Sequence, residues 1–221
     1  MIIAVDGPAA SGKGTLSRRL AERLGLAYLD TGSLYRATAA RVLRAGDDPH
    51  DPGAAAGAAA SLTERDLDAP ELREEAVSNA ASVVAAIPEV RSALLEYQRA
   101  YAESPPPGKG GAVLDGRDIG TVVLPGADRK IFVTASLEER ARRRHRELQA
   151  RGVPSIEERV LQEMQERDAR DRERSVAPLA VAADAFLLDT TELDADAAFE
   201  AALAFVLSST ARSPERSTKK R

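Results

Sequence analysis

The chain has 221 residues, of which 43% are hydrophobic and 30% are charged, and its formal net charge is −4. This composition is typical of a globular protein and excludes a disordered chain, and the small negative charge gives no general attraction to nucleic acid. The chain has no cysteine and two histidines. Disulfides and thiolate metal sites are therefore excluded, and a histidine-based metal cluster is disfavoured.

The length fits one domain with lobes, or at most two domains. The apolar run at residues 2–5 is too short for a signal peptide and has no basic region before it, and no stretch reaches the length of a membrane-spanning helix. We therefore expect a cytoplasmic protein with no membrane partner. We also expect a monomer. No nucleic-acid partner is expected, because basic tails such as residues 208–221 are usually only solvated.

Short apolar runs and helical periodicities alternate along the chain. Strands are predicted at residues 2–5, 28–29, 112–114, 130–134 and 185–188. Helices are predicted up to about residue 24 and at residues 33–45, 54–62, 71–86, 88–101, 137–149, 156–172 and 194–207. This alternation predicts an α/β fold of three layers, with helices on both faces of a central parallel sheet, and a disordered basic tail at residues 208–221.

A glycine-rich loop joins the first predicted strand to the first predicted helix. It consists of Gly7, Pro8, Ala9, Ala10, Ser11, Gly12, Lys13, Gly14 and Thr15. Glycines let backbone N–H groups cradle anionic oxygens, the helix N-terminus adds a positive dipole, and Lys13 supplies a charge for the terminal phosphates of a nucleotide. The strand–loop–helix context favours this phosphate-binding P-loop over a glycine-rich turn that only connects two elements.

The residue after Lys13 departs from the usual P-loop pattern. Gly14 stands where a Ser or Thr is common, and Thr15 comes one position later. A hydroxyl directly on Mg²⁺ is therefore not expected. The Gly-Lys-Gly-Thr sequence resembles the P-loop of nucleoside monophosphate kinases.

Ligands of parallel α/β sheets bind at the carboxyl ends of the strands, which directs attention to the segments that follow each strand. Residues 30–36 follow the second strand, and Asp115, Gly116, Arg117 and Asp118 follow the third. Asp115 at a strand end beside a P-loop suits Mg²⁺ or its waters, and Arg117 suits a phosphate. The alternative is a polar turn with Arg–Asp pairs, which the strand-end position disfavours.

Arginine is concentrated at residues 140–174. The ordinary interpretation is a pair of solvated helices with Glu–Arg pairs on their faces. In a chain with a P-loop, the second interpretation is a mobile lid whose arginines close on phosphates. Four residues of this segment share one helical face: Arg167, Arg170, Asp171 and Arg174. They could bind ribose hydroxyls beside phosphates, and a solvated charged face explains them equally well.

Five segments together resemble bacterial cytidylate kinases, which are P-loop nucleoside monophosphate kinases. They are residues 6–15 (DGPAASGKGT), 30–36 (DTGSLYR), 79–82 (NAAS), 114–123 (LDGRDIGTVV) and 167–179 (RDARDRERSVAPL). They occur in order and span most of residues 1–207, and the last two are distinctive of this family among small P-loop kinases. The resemblance implies transfer of the γ-phosphoryl group of ATP to CMP or dCMP, giving CDP or dCDP and ADP in pyrimidine nucleotide metabolism, with Mg²⁺ as the metal ion.

The resemblance also implies roles for individual residues. The P-loop would hold the phosphates of ATP, and Asp115 remains the candidate for the metal ion, through water. Residues that would act in catalysis are Lys13, Arg117, Arg143, Arg167 and Arg174. Residues that would bind the acceptor are Thr31, Tyr35 and Arg36 near the nucleotide, Ser82, Arg91 and Asp118 at the cytosine edge, Arg117, Arg167 and Arg174 at the phosphate, and Asp171 at the ribose. A carboxylate such as Asp118 accepts a hydrogen bond from the exocyclic amine of cytosine, which uracil lacks.

We expect one kinase domain over residues 1–207. Its parts would be a core at 1–30, 112–140 and 175–207, a helical monophosphate-binding lobe at about 31–111, and an Arg-rich lid at about 141–174. Many family members carry a β-rich insert in that lobe. The residues between Ala60 and Glu75 are few and show no strand alternation, so the insert is expected to be reduced or absent here.

Two other hypotheses remain open. A different small P-loop kinase, acting on adenylate, uridylate or a non-nucleotide alcohol, would keep the P-loop and the lid but lack the segments 114–123 and 167–179 together. A non-catalytic nucleotide-binding switch would show guanine-reading motifs or missing arginines, and the chain shows neither.

Overall fold

The computed structural model describes residues 1–208, and a five-stranded sheet with the order β2-β3-β1-β4-β5 lies at their centre. The strands are β1 (Ile2–Asp6), β2 (Ala27–Asp30), β3 (Ala112–Gly116), β4 (Arg129–Thr134) and β5 (Phe186–Asp189). All four neighbouring pairs are parallel, and β1 lies in the middle with Val5 opposite Asp115 on one side and Ile131 on the other. The predicted α/β fold with a central parallel sheet is confirmed.

Helices connect the strands and form the rest of the described chain. They are α1 (Lys13–Leu24), α2 (Thr31–Ala45), α3 (Pro52–Ala60), α4 (Glu64–Leu67), α5 (Glu75–Val84), α6 (Pro88–Glu103), α7 (Leu137–Ala150), α8 (Glu157–Glu173) and α9 (Ala195–Leu207), with a 3₁₀ turn at Pro70–Arg73 and a π-helical turn at Ile119–Val123. Proline opens α3 and α6, at positions whose N–H would have no helical partner. No helix within residues 1–208 is long and apolar enough to cross a lipid bilayer.

One predicted helix is wrong in its extent. The pattern predicts a single helix over 71–86, but the structure has the 3₁₀ turn followed by α5. Glu74 separates the two with an extended backbone, at ψ 147°. Leu72 and Val77 are both buried, and on one continuous helix their side chains would point about 140° apart. The break at Glu74 therefore lets both side chains enter the same core.

The segment before α5 bears on the predicted loss of the β-rich insert. Between Ala60 and Glu75, all of which lies in the described part of the chain, the structure has α4 and the 3₁₀ turn and no strand. This is consistent with a reduced or absent insert. The predicted disordered tail at 208–221 lies outside the described residues, except for Ser208, which follows α9.

Separate apolar clusters position the parts of the molecule. On one face of the sheet, α1 and α9 pack on β1, β3, β4 and β5, and on the other face α6 and the π-helical turn pack on β1, β2 and β3. Helices α2 to α6 enclose a cluster of their own, and we call residues 31–103 the α2–α6 lobe. We call residues 137–173 the α7–α8 hairpin, whose apolar side packs against Ala9 and Ala10 of the P-loop.

A buried ion pair joins the two helices of the hairpin to each other and to the P-loop. Arg140 donates to both carboxylate oxygens of Asp168, at 3.2 and 2.6 Å. The same guanidinium donates to the carbonyls of Ala135 at 3.0 Å and Ala9 at 3.3 Å. Arg140 is 2% exposed and Asp168 4% exposed. Loss of one partner would leave an uncompensated buried charge, which is strongly destabilising.

Asp168→Asn is expected to destabilise the protein by about 3–5 kcal/mol, because the Arg140 guanidinium would stay buried without its counter-ion. For a chain of this size that lowers Tm by roughly 6–20 °C, measured by calorimetry. The matched control is Arg159→Gln, which removes an exposed pair with Glu163 on the same helix and should leave Tm unchanged within error. A Tm for Asp168→Asn equal to that of the control would contradict a stabilising role for the buried pair.

Candidate active site

The P-loop follows β1 and is held in a conformation that suits anions. Gly7 has a φ of 151°, and a Cβ at this position would lie 2.0 Å from the carbonyl oxygen of Val133, so no side chain fits there. Ala10 and Gly12 have φ values of 56° and 87°, in the left-handed region. Turns of this kind can direct backbone N–H groups to one side, and this one leads into the N-terminus of α1, as an anion site requires.

Lys13 is the first residue of α1 and lies in the wall between two cavities. Its Nζ donates to the carbonyl of Pro8 at 3.2 Å, and the side chain is buried. Burial, and next the nearby Arg117 guanidinium, lower the pKa of Lys13 to about 7. A polyanion placed beside Lys13 would restore its charge, because an opposite charge favours the protonated form.

The structure brings every predicted acceptor-binding residue together around one cavity of about 170 Å³. It lies between the sheet, the α2–α6 lobe and α8, and Lys13 and Gly14 form its P-loop side. The predicted residues that line it are Thr31, Tyr35, Arg36, Ser82, Arg91, Arg117, Asp118, Arg167, Asp171 and Arg174. We call it the acceptor cavity. A second cavity, of about 190 Å³, continues from it towards the hairpin and shares Lys13, Arg36, Arg117 and Arg167.

Asp118 is buried between two arginines at one end of the acceptor cavity. Arg91 from α6 donates to its Oδ2, and Arg174 at the end of α8 donates to its Oδ1 at 3.4 Å. Burial raises the pKa of Asp118 in spite of the two guanidinium groups. The Arg91 guanidinium also lies over the ring of Tyr35, 5.7 Å from its centroid. This end of the cavity therefore presents a carboxylate and an aromatic face together.

The other end of the acceptor cavity, beside Lys13, holds the Arg117 and Arg167 guanidinium groups and the Asp171 carboxylate. Arg117 donates through Nε to Asp171 at 2.9 Å, whereas Arg167 Nε is buried and has no hydrogen-bond partner among the described residues. Burial, and next the charge of Arg117, lower the pKa of Arg167 to about 10. An unpartnered guanidinium N–H in a basic cavity is suited to a phosphate oxygen.

The remaining predicted acceptor residues hold the cavity walls. Thr31 donates to the Asp115 carbonyl at 2.7 Å, joining α2 to the end of β3. Arg36 donates to Asp30 at 2.6 Å, and this charge holds the pKa of Asp30 low although burial acts in the opposite direction. Ser82 donates to its own helix at Asn79, at 2.8 Å.

Three contacts join the α7–α8 hairpin directly to the α2–α6 lobe. Arg144 pairs with Glu75, and the two side chains are 20% and 36% exposed. Arg170 donates to the Ser82 hydroxyl at 3.2 Å, and Arg151 donates to the Arg73 carbonyl at 2.6 Å. The acceptor cavity is therefore covered by two bodies that meet through polar groups.

A further cavity of about 500 Å³ lies on the opposite side of the P-loop, between α1, α7 and the segment after β5. Ser11, Gly12, Thr15 and Arg143 line it. Arg143 thus faces this cavity and not the acceptor cavity, unlike the other predicted catalytic arginines. We call it the donor cavity.

Thr190 is a residue of this region that the sequence analysis missed. It follows β5, is 3% exposed, and accepts a hydrogen bond from Arg143 at 3.0 Å while donating to the Ser11 carbonyl at 3.1 Å. It therefore links the last strand, the P-loop and α7. Its place directly after a strand was the available signal, because strand ends form the ligand edge of such sheets.

The metal prediction for Asp115 places a carboxylate at the end of β3. One oxygen, Oδ2, accepts a hydrogen bond from the Tyr28 hydroxyl at 2.8 Å, and burial raises the pKa of Asp115. A Cβ at Gly14 would lie 3.4 Å from the same oxygen. The described residues contain no group of three or more acidic or histidine side chains arranged for a metal. A single carboxylate beside the P-loop fits Mg²⁺ that keeps its waters, and does not fit an all-protein cage.

The chain is similar to known proteins of one family. The family model for cytidylate kinase matches residues 3–207. The cytidylate kinase of Paramagnetospirillum magneticum is 58% identical over 205 residues, which cover 93% of this chain and 97% of that protein. The cytidylate kinase of Rhodospirillum rubrum is 59% identical over 203 residues, which cover 92% and 95%.

Among solved structures, an uncharacterized protein from Eubacterium ventriosum matches with a TM-score of 0.53 and 13% identity, over 93% of this chain and 98% of that one. This similarity concerns the fold alone. The residues that the family model matches include the P-loop, the acceptor cavity and the hairpin. The chain belongs to the cytidylate kinase family.

Proposed function

We propose that this protein transfers the γ-phosphoryl group of ATP to CMP or dCMP, giving CDP or dCDP and ADP. The observation that carries the proposal is the acceptor cavity, which has Lys13 and two further cations at one end and the Asp118 carboxylate at the other. Phosphoryl transfer asks for positioning and neutralisation of charge and needs no covalent intermediate on the protein. The cavity offers both in a buried setting, where each charge acts strongly.

At the basic end, Lys13, Arg117 and Arg167 would contact the acceptor phosphate and the transferring group. Arg174, which the resemblance also places at the phosphate, donates to Asp118 in this structure. Arg117 is held by Asp171, so its guanidinium is already oriented when the phosphate arrives. Asp171 is also the proposed partner of the ribose hydroxyls. Mg²⁺, when bound with ATP near Asp115, would neutralise charge on the β- and γ-phosphates.

At the other end, Asp118 would accept a hydrogen bond from the exocyclic amine of cytosine. Arg91 and Arg174 hold both carboxylate oxygens, so the carboxylate is oriented before the base binds. Uracil presents a carbonyl oxygen at that position and would face the carboxylate with two acceptors opposed. Tyr35 would pack against the pyrimidine, and Ser82 would complete the edge.

The ATP side of the site is proposed from the donor cavity. Residues 7–15 would bind the phosphates through backbone N–H groups, and the open space beyond Gly12 and Thr15 would take the nucleoside. Arg143 lines the same cavity and is proposed to reach the phosphates from α7.

Broader assignments follow from the substrates and are proposed with them. An enzyme that uses ATP and CMP acts on intracellular nucleotide pools, so we propose a cytoplasmic location and a role in pyrimidine nucleotide metabolism. We also propose that the protein is a monomer. We also propose the division of residues 1–207 into a core, a monophosphate-binding lobe at about 31–111 and a lid at about 141–174. The apolar cluster within the α2–α6 lobe and the cluster within the hairpin support this division.

A coupled ADP-release assay with ATP, Mg²⁺ and a panel of CMP, dCMP, UMP, AMP, GMP and no acceptor tests the proposed function. Strong signal with CMP and dCMP is expected, and little with UMP, because Asp118 would accept a hydrogen bond from the exocyclic amine that uracil lacks. Equal use of UMP would identify a pyrimidine kinase with loose base recognition. Silence with every nucleotide would contradict the proposal and point to a non-nucleotide acceptor.

Asp118→Ala is expected to reduce the preference for CMP over UMP, measured as the ratio of kcat/KM, by about 10–100-fold. That range corresponds to one charge-assisted hydrogen bond of roughly 1.5–3 kcal/mol. The KM for ATP should stay within about twofold. Asp66→Ala is the matched control. Asp66 is also paired with an arginine, Arg41, but it lines neither the acceptor cavity nor the donor cavity. An unchanged ratio in Asp118→Ala would remove this residue from base recognition.

Binding of MgATP is expected to take up a proton at pH 8. With a pKa of about 7, Lys13 is mostly neutral at that pH in the free protein, and the triphosphate raises its pKa and protonates it. Uptake should approach one proton at pH 8 and fall towards zero at pH 6, where Lys13 is already charged. Titration calorimetry in two buffers of different ionisation enthalpy measures it. Lys13→Arg, whose charge is permanent, should abolish the uptake, and a wild type without uptake would show that the pKa of Lys13 is not lowered.

A further inference from the structure

Asp6 is a buried carboxylate for which the proposed mechanism has no use. It is the last residue of β1, directly before the P-loop, and it is 4% exposed. Its two oxygens accept hydrogen bonds from the backbone N–H groups of Ile119 and Gly120, both at 2.7 Å. These are the two residues that follow Asp118. A charged acceptor used by two consecutive N–H groups makes hydrogen bonds of the strong, charge-assisted kind.

The backbone after Asp118 is packed tightly against the end of β1 and against β4. A Cβ on Gly120 would lie 3.3 Å from Asp6 Oδ2 and 3.1 Å from Lys130 Cδ. Ile119 is 1% exposed and packs into the cluster on this face of the sheet. The start of the π-helical turn is therefore seated by contacts as well as by hydrogen bonds.

Arg99 holds the opposite end of the same segment. From α6, its Nε donates to the Val123 carbonyl at 3.0 Å and its Nη2 donates to the Val122 carbonyl at 3.2 Å. The N–H groups at the beginning of the turn and the carbonyls at its end lack ordinary helical partners. Asp6 supplies acceptors at one end and Arg99 supplies donors at the other.

We propose that Asp6 and Arg99 are positioning residues that clamp residues 118–124 at both ends and thereby place the Asp118 carboxylate for base recognition. The proposal rests on the proposed function, in which Asp118 reads cytosine. Neither residue lines the acceptor cavity, so each acts through the backbone of the turn. A group that must discriminate between two bases has to be held in place before binding, since ordering it on binding costs affinity.

The clamp also explains why Asp118 keeps its place between two arginines that come from different helices. Arg91 lies on α6 and Arg174 at the end of α8. Movement of either helix would draw the carboxylate with it if the turn were free. Asp6 fixes the backbone of the next two residues to the end of β1. Arg91 and Arg174 can then orient the Asp118 side chain on a backbone that is already in place.

The test uses Asp6→Asn and Arg99→Met in the full-length protein. Asn keeps the size of Asp6 but offers one acceptor oxygen and an NH₂ group where two acceptors are needed. The matched controls are Asp128→Asn, which removes a carboxylate that accepts from Ile2 N–H at the far end of β1, and Arg129→Met, which removes an arginine that donates to the carbonyls of Val206 and Ser208. Both controls delete the same kinds of bond away from the site.

Two readouts are taken for each variant. The first is kinetic: KM for CMP is expected to rise by about tenfold and the preference for CMP over UMP to fall by a similar factor, with KM for ATP within about twofold of wild type. The second is hydrogen–deuterium exchange of residues 118–124 without substrate, which is expected to accelerate in both clamp variants. The controls should show neither change.

Each outcome bears on the clamp. Equal rises in KM for CMP and ATP, or a CMP/UMP preference that follows Tm across variants and controls, would overturn it in favour of a merely structural role. If Asp6→Asn does not fold, Arg99→Met carries the test alone, since it changes an exposed side chain. A wild type that is inactive on CMP would contradict the proposed function instead. The hydrogen–deuterium exchange rates of residues 118–124 would then decide whether Asp6 and Arg99 hold the turn.

Discussion

Positive charge buried beside Lys13 is the constraint on which the rest of the structure depends. The pKa values of Lys13 and Arg167 are both lowered, first by burial and then by the charge of Arg117. Cations in a cavity repel one another, and each pays for lost hydration unless an anion or a hydrogen bond offsets it. Asp171 offsets part of this charge by holding Arg117, and Asp115 and Asp30 raise the pKa of Lys13 relative to burial alone. The proposed phosphate site therefore has its guanidinium groups held in place by carboxylates, and an anion that bound there would relieve the repulsion between the cations.

The parallel sheet is what allows so many charged side chains to converge. The ends of β1, β2 and β3 lie side by side, so that the P-loop, Asp30 and Asp115 share one edge, although Asp6 and Asp115 are 109 positions apart in sequence. The α2–α6 lobe and the α7–α8 hairpin are inserted between strands and close over that edge. Each brings arginines on helices, which are rigid enough to aim a guanidinium. The hairpin is fastened to the P-loop by the Arg140–Asp168 pair and by apolar contact with Ala9 and Ala10.

Features that depend on residues close together in sequence could be predicted well. Features that depend on contacts between distant parts of the chain could not. The P-loop and the strands could be predicted from motif spacing and short apolar runs. Most residues around the acceptor cavity were predicted only through the resemblance to cytidylate kinases. The break at Glu74 could not be predicted, because a helical pattern of apolar residues does not show where tertiary packing interrupts the helix. Thr190 and the pairing of Arg140 with Asp168 depend on contacts across 179 and 28 residues. A solvated helix face would have the same arginines in its sequence. Only the burial of Arg140 in the structure distinguishes a buried ion pair from such a face.

The seam between the hairpin and the lobe is made of polar contacts, of which the Arg144–Glu75 pair is the clearest. Partly exposed ion pairs are worth about 0–1 kcal/mol each, and water replaces them readily. An apolar seam of similar extent would hold the hairpin and the lobe together more strongly and would slow the release of a diphosphate product. With polar contacts, we expect the hairpin and the lobe to exclude water while they are in contact and to separate readily for product release. We therefore expect the side chains along this seam to influence how long a product stays bound, separately from the rate of phosphoryl transfer.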